Sequence, residues 1–192
     1  MKNVIILGAS GNIAKKVTEI LVGDEDVNLT LFLRNKSRLG KTEGSKVNII
    51  EGDVLNYNQL KAAISDQDIV YANLAGDLES MAKNIVKAMN ESGIKKIIFI
   101  SSIGIYDTPL RPVLKPYRAA ADVFEASDLD YAILRPTWFT NVNEVDYELT
   151  KKGEQEKGSV ISQKSLATFI AKIIESPDEY ARSNYGINKP NS

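Results

Sequence analysis

Short apolar, β-branched runs alternate along the chain with longer amphipathic stretches. Val4-Ile5-Ile6-Leu7 predicts a buried strand, and Gly11 to about Val22 predicts the helix that follows it. Asn28 to Leu33, with Leu29, Leu31 and Leu33 alternating with Thr30 and Phe32, predicts a second strand, and Val47-Asn48-Ile49-Ile50 a third. Asn56 to Ile64 predicts a short helix with Asn56 as its N-cap, and Asp68-Ile69-Val70-Tyr71 a fourth strand. From Asp77 to Ser92 the apolar residues Leu78, Met81, Ile85, Val86 and Met89 recur at the three-to-four spacing of one buried helix face, and Gly93 is a natural terminator. Lys96 to Ser101 predicts a fifth strand, Tyr117 to about Ala126 a helix, Tyr131 to Leu134 a sixth strand and Ser165 to Ile174 a closing helix. Apolar strands alternating with helices imply a parallel sheet covered on both faces. Right-handed crossovers then make the expected fold class α/β, a single-domain doubly wound parallel sheet of the Rossmann type.

The one shift in composition is the polar stretch 141–158, which carries Glu144, Asp146, Glu148, Lys151, Lys152, Glu154, Glu156 and Lys157. It reads either as a solvated surface segment or as a lid over a substrate. Residues 1–192 are expected to form one domain, with 137–192 as its small substrate-side part.

A chain of 192 residues, 43% hydrophobic and 26% charged, fits one ordinary globular domain. Its net charge of −1 gives no basic field for nucleic acid or an anionic membrane, so neither is an expected partner. With no cysteine, thiolate nucleophiles and zinc-thiolate sites are excluded, and with no histidine so are the commonest general base and transition-metal ligand. No metal site is expected, and proton transfer must use Tyr, Lys, Asp, Glu, the substrate or water. The first apolar run stops at Gly8, too short for a signal peptide, and no stretch approaches the length of a membrane span, so a cytoplasmic location is expected.

The motif with the clearest chemistry is Gly8-Ala9-Ser10-Gly11-Asn12-Ile13-Ala14, placed between the first strand and the first helix. Gly8 permits a tight turn, Gly11 lets a pyrophosphate approach the backbone, and Ala14 allows close helix–sheet packing. The helix N-terminus offers free N–H groups and the positive end of its dipole to a phosphate. Arg34 lies 20 residues beyond Ala14, where NAD-preferring sites hold an acid for the ribose 2′-hydroxyl. A guanidinium there suits a 2′-phosphate, with Lys36 and Arg38 adding charge, so the expected cofactor is NADP(H) rather than NAD(H). In Gly52-Asp53-Val54, Asp53 can accept from an adenine amino group while Val54 packs on the ring, or the segment is a plain turn. Asn73-Leu74-Ala75-Gly76 follows the fourth strand, where small residues suit close approach to a ribose.

These residues resemble an atypical short-chain dehydrogenase/reductase of the NmrA-like, NAD(P)H-binding group, with small flavin- and biliverdin-reductase-like enzymes as relatives. The resemblance covers nearly the whole chain. It includes the glycine loop, Gly52-Asp53-Val54, Val70-Tyr71-Ala72-Asn73-Leu74 and Phe99-Ile100-Ser101-Ser102-Ile103-Gly104-Ile105-Tyr106. It continues through Ser127 to Tyr131, Leu134-Arg135-Pro136-Thr137-Trp138, Gly158 to Ser165, and Gly186-Ile187-Asn188-Lys189-Pro190. It implies a bound nicotinamide dinucleotide, and Ser101, Tyr117 and Pro136 join the residues expected to bind it.

Short-chain dehydrogenases usually carry Tyr-x-x-x-Lys, in which the Tyr gives a proton to the substrate oxygen and the Lys lowers its pKa. Counting back from Leu129-Asp130-Tyr131 puts the family Tyr position at Val113 and the Lys position at Tyr117, so the pair is absent. Reading Tyr117 as the Tyr puts Ala121 at the Lys, with the same result. Tyr117 can line the nicotinamide pocket or bind the ribose. Tyr106 can be a substitute acid, or an aromatic half-buried under the lid. Ser101 and Ser102 can orient a substrate or cap local backbone, and Pro116 obscures the direction of Lys115. Hydride transfer to a flavin or quinone asks less of the protein, since solvent can deliver the proton. Pro136, Trp138 and Phe139 can wall a flat acceptor or pack the last loop onto the core. The expected activity is NADPH-dependent reduction of a small aromatic, flavin or quinone acceptor by a monomer or homodimer. The alternative is a non-catalytic NADP(H) sensor that binds a protein partner.

Overall fold

The computed structural model describes residues 1–39 and 47–192. Six parallel strands form in the order the pattern predicts: β1 (Lys2–Leu7), β2 (Val27–Leu33), β3 (Val47–Glu51), β4 (Ile69–Ala72), β5 (Lys96–Ile100) and β6 (Asp130–Pro136). Between and after them lie α1 (Asn12–Leu21), α2 (Tyr57–Ile64), α3 (Leu78–Ser92), α4 (Lys115–Glu125) and α5 (Gln163–Glu175). Local chemistry fixes the helix ends. Asn56 Oδ1 accepts from Gln59 N at 3.2 Å, Asp77 Oδ1 from Ser80 N at 3.2 Å and Ser162 Oγ from Ser165 N at 2.9 Å. Gly93 closes α3 in a left-handed conformation, φ 73°.

Four short strands have no counterpart in the apolar pattern: β7 (Trp138–Thr140), β8 (Glu148–Lys151), β9 (Val160–Ser162) and β10 (Ser183–Asn188). β10 lies parallel beside β6 and β8 antiparallel beside β10, giving the order β3-β2-β1-β4-β5-β6-β10-β8. The sheet is therefore parallel except at that last edge. β7 and β9 form a separate two-stranded parallel ribbon.

The sheet is wound on both faces. On one face α1 and α5 cover Val4, Ile6, Leu31, Tyr71, Ile98, Leu134 and Ile187, with Phe169 of α5 packed between Tyr147, at a tilt, and Tyr180, edge to face. On the other, α2, α3 and α4 cover Ile5, Leu7, Phe32, Val70, Phe99 and Ile133. The bodies of β1, β2, β4, β5 and β6 are buried on both sides, which is why they are rich in apolar residues along their length, whereas the edge strand β3 stays partly open, with Ile49 43% exposed.

The polar stretch 141–158 is built into this body. Its middle is the edge strand β8. Ser162 Oγ donates to the Glu144 carbonyl at 2.8 Å, Asp146 N donates to Ser165 Oγ at 3.0 Å, and Lys189 pairs with Glu144 at 2.8 Å. Trp138 and Phe139 depart from core packing: they are 73% and 47% exposed, because β7 leaves the main sheet to join the ribbon. Among the described residues no helix is long and apolar enough to cross a membrane.

Candidate functional site

The carboxyl ends of β1, β2, β3 and β4 surround a groove of about 290 Å³. Its walls are Gly8, Ser10 and Gly11 after β1, Phe32 to Asn35 and Arg38 after β2, Gly52 to Val54 after β3, and Asn73 to Ala75 after β4, with Met81 reaching in from α3. Nine of the residues expected to hold a cofactor are brought together here: Gly8, Ser10, Gly11, Arg34, Asp53, Val54, Asn73, Leu74 and Ala75. Ala9 is fully buried behind the loop, and Asn12 and Ile13 begin α1. Gly76 adjoins the groove without lining it.

The glycine turn lies hard against the segment that leaves β4. Gly8 has φ 82°, and a β-carbon there would lie 2.2 Å from the Asn73 carbonyl oxygen. At Gly11 it would lie 2.4 Å from Asn73 Nδ2. Gly11 is the N-cap of α1 and no side chain caps that end, so the first-turn amides keep their donors for a ligand.

At the β2 end Arg34 and Arg38 are exposed, and neither forms an ion pair with another described residue. Asn35 caps the turn that carries them, its Oδ1 accepting from Ser37 N at 2.9 Å, and Glu51 accepts from Lys36 N at 3.0 Å. Asp53 shapes the next turn. Its Oδ1 accepts from Leu55 N at 2.9 Å and its own N–H donates to Gln59 Oε1 at 3.0 Å. Phe32, Asn35, Gly52 and Met81 also line the groove. Phe32 and Met81 read in sequence as strand and helix core, because pattern cannot separate a side chain that packs under a groove from one that packs under a helix.

The remaining candidates lie further along the carboxyl edge, outside this groove. Ser101 ends β5, is 4% exposed, donates its N–H to the Leu134 carbonyl at 2.7 Å, and leaves its hydroxyl without a partner among the described residues. Ser102 donates to the Ile103 carbonyl at 3.1 Å, a local cap. Pro136 ends β6, and its carbonyl accepts from Ile103 N at 3.1 Å. Tyr117 is half-buried in the first turns of α4, against the α3–α4 side of the core. Val113 is 69% exposed just before that helix.

Tyr106 turns toward the β10 side instead. Its hydroxyl accepts from Asn184 Nδ2 at 2.8 Å and lies 3.4 Å from both Glu125 oxygens. Lys152 and Arg118 stand over its ring at 4.6 and 4.8 Å. Burial first, and then the Glu125 charge, push its pKa up.

The glycine turn, the uncapped helix and the strand order define a dinucleotide-binding Rossmann protein. A family profile described as NAD(P)H-binding matches residues 8–177. The chain belongs to that family, and its relation to the atypical short-chain dehydrogenases/reductases stands. A Rossmann-fold NAD(P)-binding family protein from Shigella flexneri is 45% identical with a TM-score of 0.93, over 100% of this chain and 95% of that one. A short-chain dehydrogenase/reductase from Veillonella parvula, solved in complex with NADP, is 29% identical with a TM-score of 0.90, over 99% and 95%. Cinnamoyl-CoA reductase 1 of Arabidopsis thaliana is 29% identical over 82% of this chain and 49% of that protein. The chain spans about half to two thirds of the length of the curated plant reductases it matches.

Proposed function

We infer that this protein is a reductase that binds NADPH in preference to NADH and passes hydride to a flat conjugated acceptor of the flavin, quinone or small aromatic class. The groove carries the reading. A glycine turn too tight for a β-carbon, an uncapped α1 and two guanidinium side chains without described partners converge at the carboxyl ends of β1 and β2. The α1 amides would hold the pyrophosphate. Arg34 would take the 2′-phosphate, and Val54 and Leu74 would bracket the adenosine. From there the nicotinamide half would extend across β4, β5 and β6, toward the free Ser101 hydroxyl, Tyr117 and Pro136.

The bound nicotinamide would supply the hydride. The protein's part would be to bind and orient. Val113 and Tyr117 occupy the places of the usual Tyr–Lys pair, and the Tyr106 hydroxyl is engaged by Asn184 and Glu125, so we assign Tyr106 a structural role. A conjugated acceptor that takes its proton from solvent suits such a site. The exposed Trp138 and Phe139, just beyond β6, are the proposed acceptor wall, which makes 137–192 the substrate side of the domain. The missing pair also suits a non-catalytic NADP(H) sensor.

Calorimetry with NADPH and NADH on the wild type and Arg34→Ala tests the cofactor assignment. We expect an NADPH preference that the variant loses, about tenfold or more for one charge-assisted contact. Equal affinities in the wild type refute the preference. NADPH oxidation with a panel of flavins and quinones then separates reductase from sensor: turnover above blank supports the first, and none across the panel supports the second.

A further inference from the structure

The segment after β5 is held by a residue that the glycine-loop pattern gives no reason to notice. Glu156 bridges two groups at once. One carboxylate oxygen pairs with the Arg135 guanidinium, and the other accepts from the backbone N–H of Gly104 at 2.9 Å. The Arg135 side chain is 2% exposed and that of Glu156 19%. Arg135 is the last residue of β6 before Pro136, and the carbonyls of Leu134 and Pro136 hold Ser101 N and Ile103 N at 2.7 and 3.1 Å. Residues 101–104 are thus fixed on one side by β6 and on the other by a carboxylate that β6's own arginine orients.

We propose that Arg135 and Glu156 are positioning residues for the nicotinamide half of the cofactor site, acting through Gly104 to hold Ser101 at the carboxyl edge. This rests on the reading of the groove as an NADP(H) site. An ion pair this deep contributes little net stability and is costly to break by removing one partner, so its value here lies in geometry. Neither residue lines the main groove, whose walls come from the ends of β1 to β4, so the adenosine half should not depend on the pair.

The test compares two probes by calorimetry: NADPH, and adenosine 2′,5′-bisphosphate, which lacks the nicotinamide half. Glu156→Asp keeps the buried charge but shortens the side chain by about 1.5 Å, so it cannot reach both partners. We expect NADPH affinity to fall about tenfold in this variant and bisphosphate affinity to stay within about twofold of wild type. An equal fall for both probes, or no change in either, overturns the proposal. A wild type that binds the bisphosphate but gains nothing from the nicotinamide half also overturns it, while leaving the groove reading intact. A wild type that binds neither probe removes both. Hydrogen exchange on the wild type reads the contact without any variant: the Gly104 amide should be protected about a hundredfold over a free peptide, and unprotected exchange there overturns the proposal.

Discussion

Asn73 does two things at residue scale. Its carbonyl presses on Gly8 and its side-chain amide on Gly11, so the glycines of the loop answer to β4 as well as to any phosphate. The two contacts predict different outcomes. In Gly11→Ala the new β-carbon meets the end of a side chain that can move, and the expected cost is about 1–2 kcal/mol, recovered in large part by adding Asn73→Ala. In Gly8→Ala it meets backbone at a positive φ, and the expected cost is about 3 kcal/mol or more, with no recovery from Asn73→Ala. Urea unfolding midpoints of the four variants measure this. NADPH affinity should fall in Gly11→Ala whether or not Asn73 is replaced, because the β-carbon still stands where the pyrophosphate would approach.

At the scale of elements, α2 and α3 are tied by a polar joint around Glu91. The Tyr57 hydroxyl donates to Glu91 Oε2 at 2.6 Å, and Lys61 reaches the same oxygen at 2.5 Å. The hydrogen bond to Glu91 is the main cause that raises the Tyr57 pKa from 10 to about 12, and Lys61 first, then Tyr57, hold Glu91 below the usual carboxylate range. A tyrosine whose folded pKa is raised contributes stability that is fully present below pH 10 and is lost as pH rises through about 12. A depressed carboxylate contributes above its unfolded pKa and loses that as pH falls through the folded value. Ultraviolet titration of tyrosinate should therefore show one group near 12 that disappears in Tyr57→Phe and moves back toward 10 in Glu91→Gln. No movement in Glu91→Gln would mean the joint is absent in solution.

For the whole molecule, the two helical layers carry different duties. The loops of the groove spring from strands clamped between them, while the α1–α5 layer is anchored by Phe169, 1% exposed between Tyr147 and Tyr180. Phe169→Ala should cost about 3–5 kcal/mol, seen as a lower denaturation midpoint. Phe169 does not line the groove, so NADPH at about a hundred times its Kd should add about 2.7 kcal/mol to wild type and variant alike. A smaller increment in the variant would show that the layer and the groove are coupled.

The sequence by itself determined the six parallel core strands, five helices and the glycine turn. Each depends on a signal that local residues carry: short apolar, β-branched runs, one-sided helical spacing, and caps at Asn56 and Gly93. It also placed Arg34 and Asp53 correctly after their strands, since a residue just past a parallel strand can only lie at the carboxyl edge. Tertiary structure alone decided the rest. β8 and β10 are strands although Glu148-Leu149-Thr150-Lys151 and Ser183 to Asn188 lack apolar runs. One face of this edge is filled by Asn184, Thr150 and Arg135 with Tyr106 and Glu125 above them, so burial there is polar and the apolar alternation shrinks to Tyr185 and Ile187, too short to mark a strand. Trp138 faces outward because β7 pairs with β9, a contact across more than twenty residues that no local pattern encodes. Glu156 finds Arg135 and Gly104 for the same reason. A carboxylate's partners are set by where the chain returns, and only the folded sheet brings those three residues together.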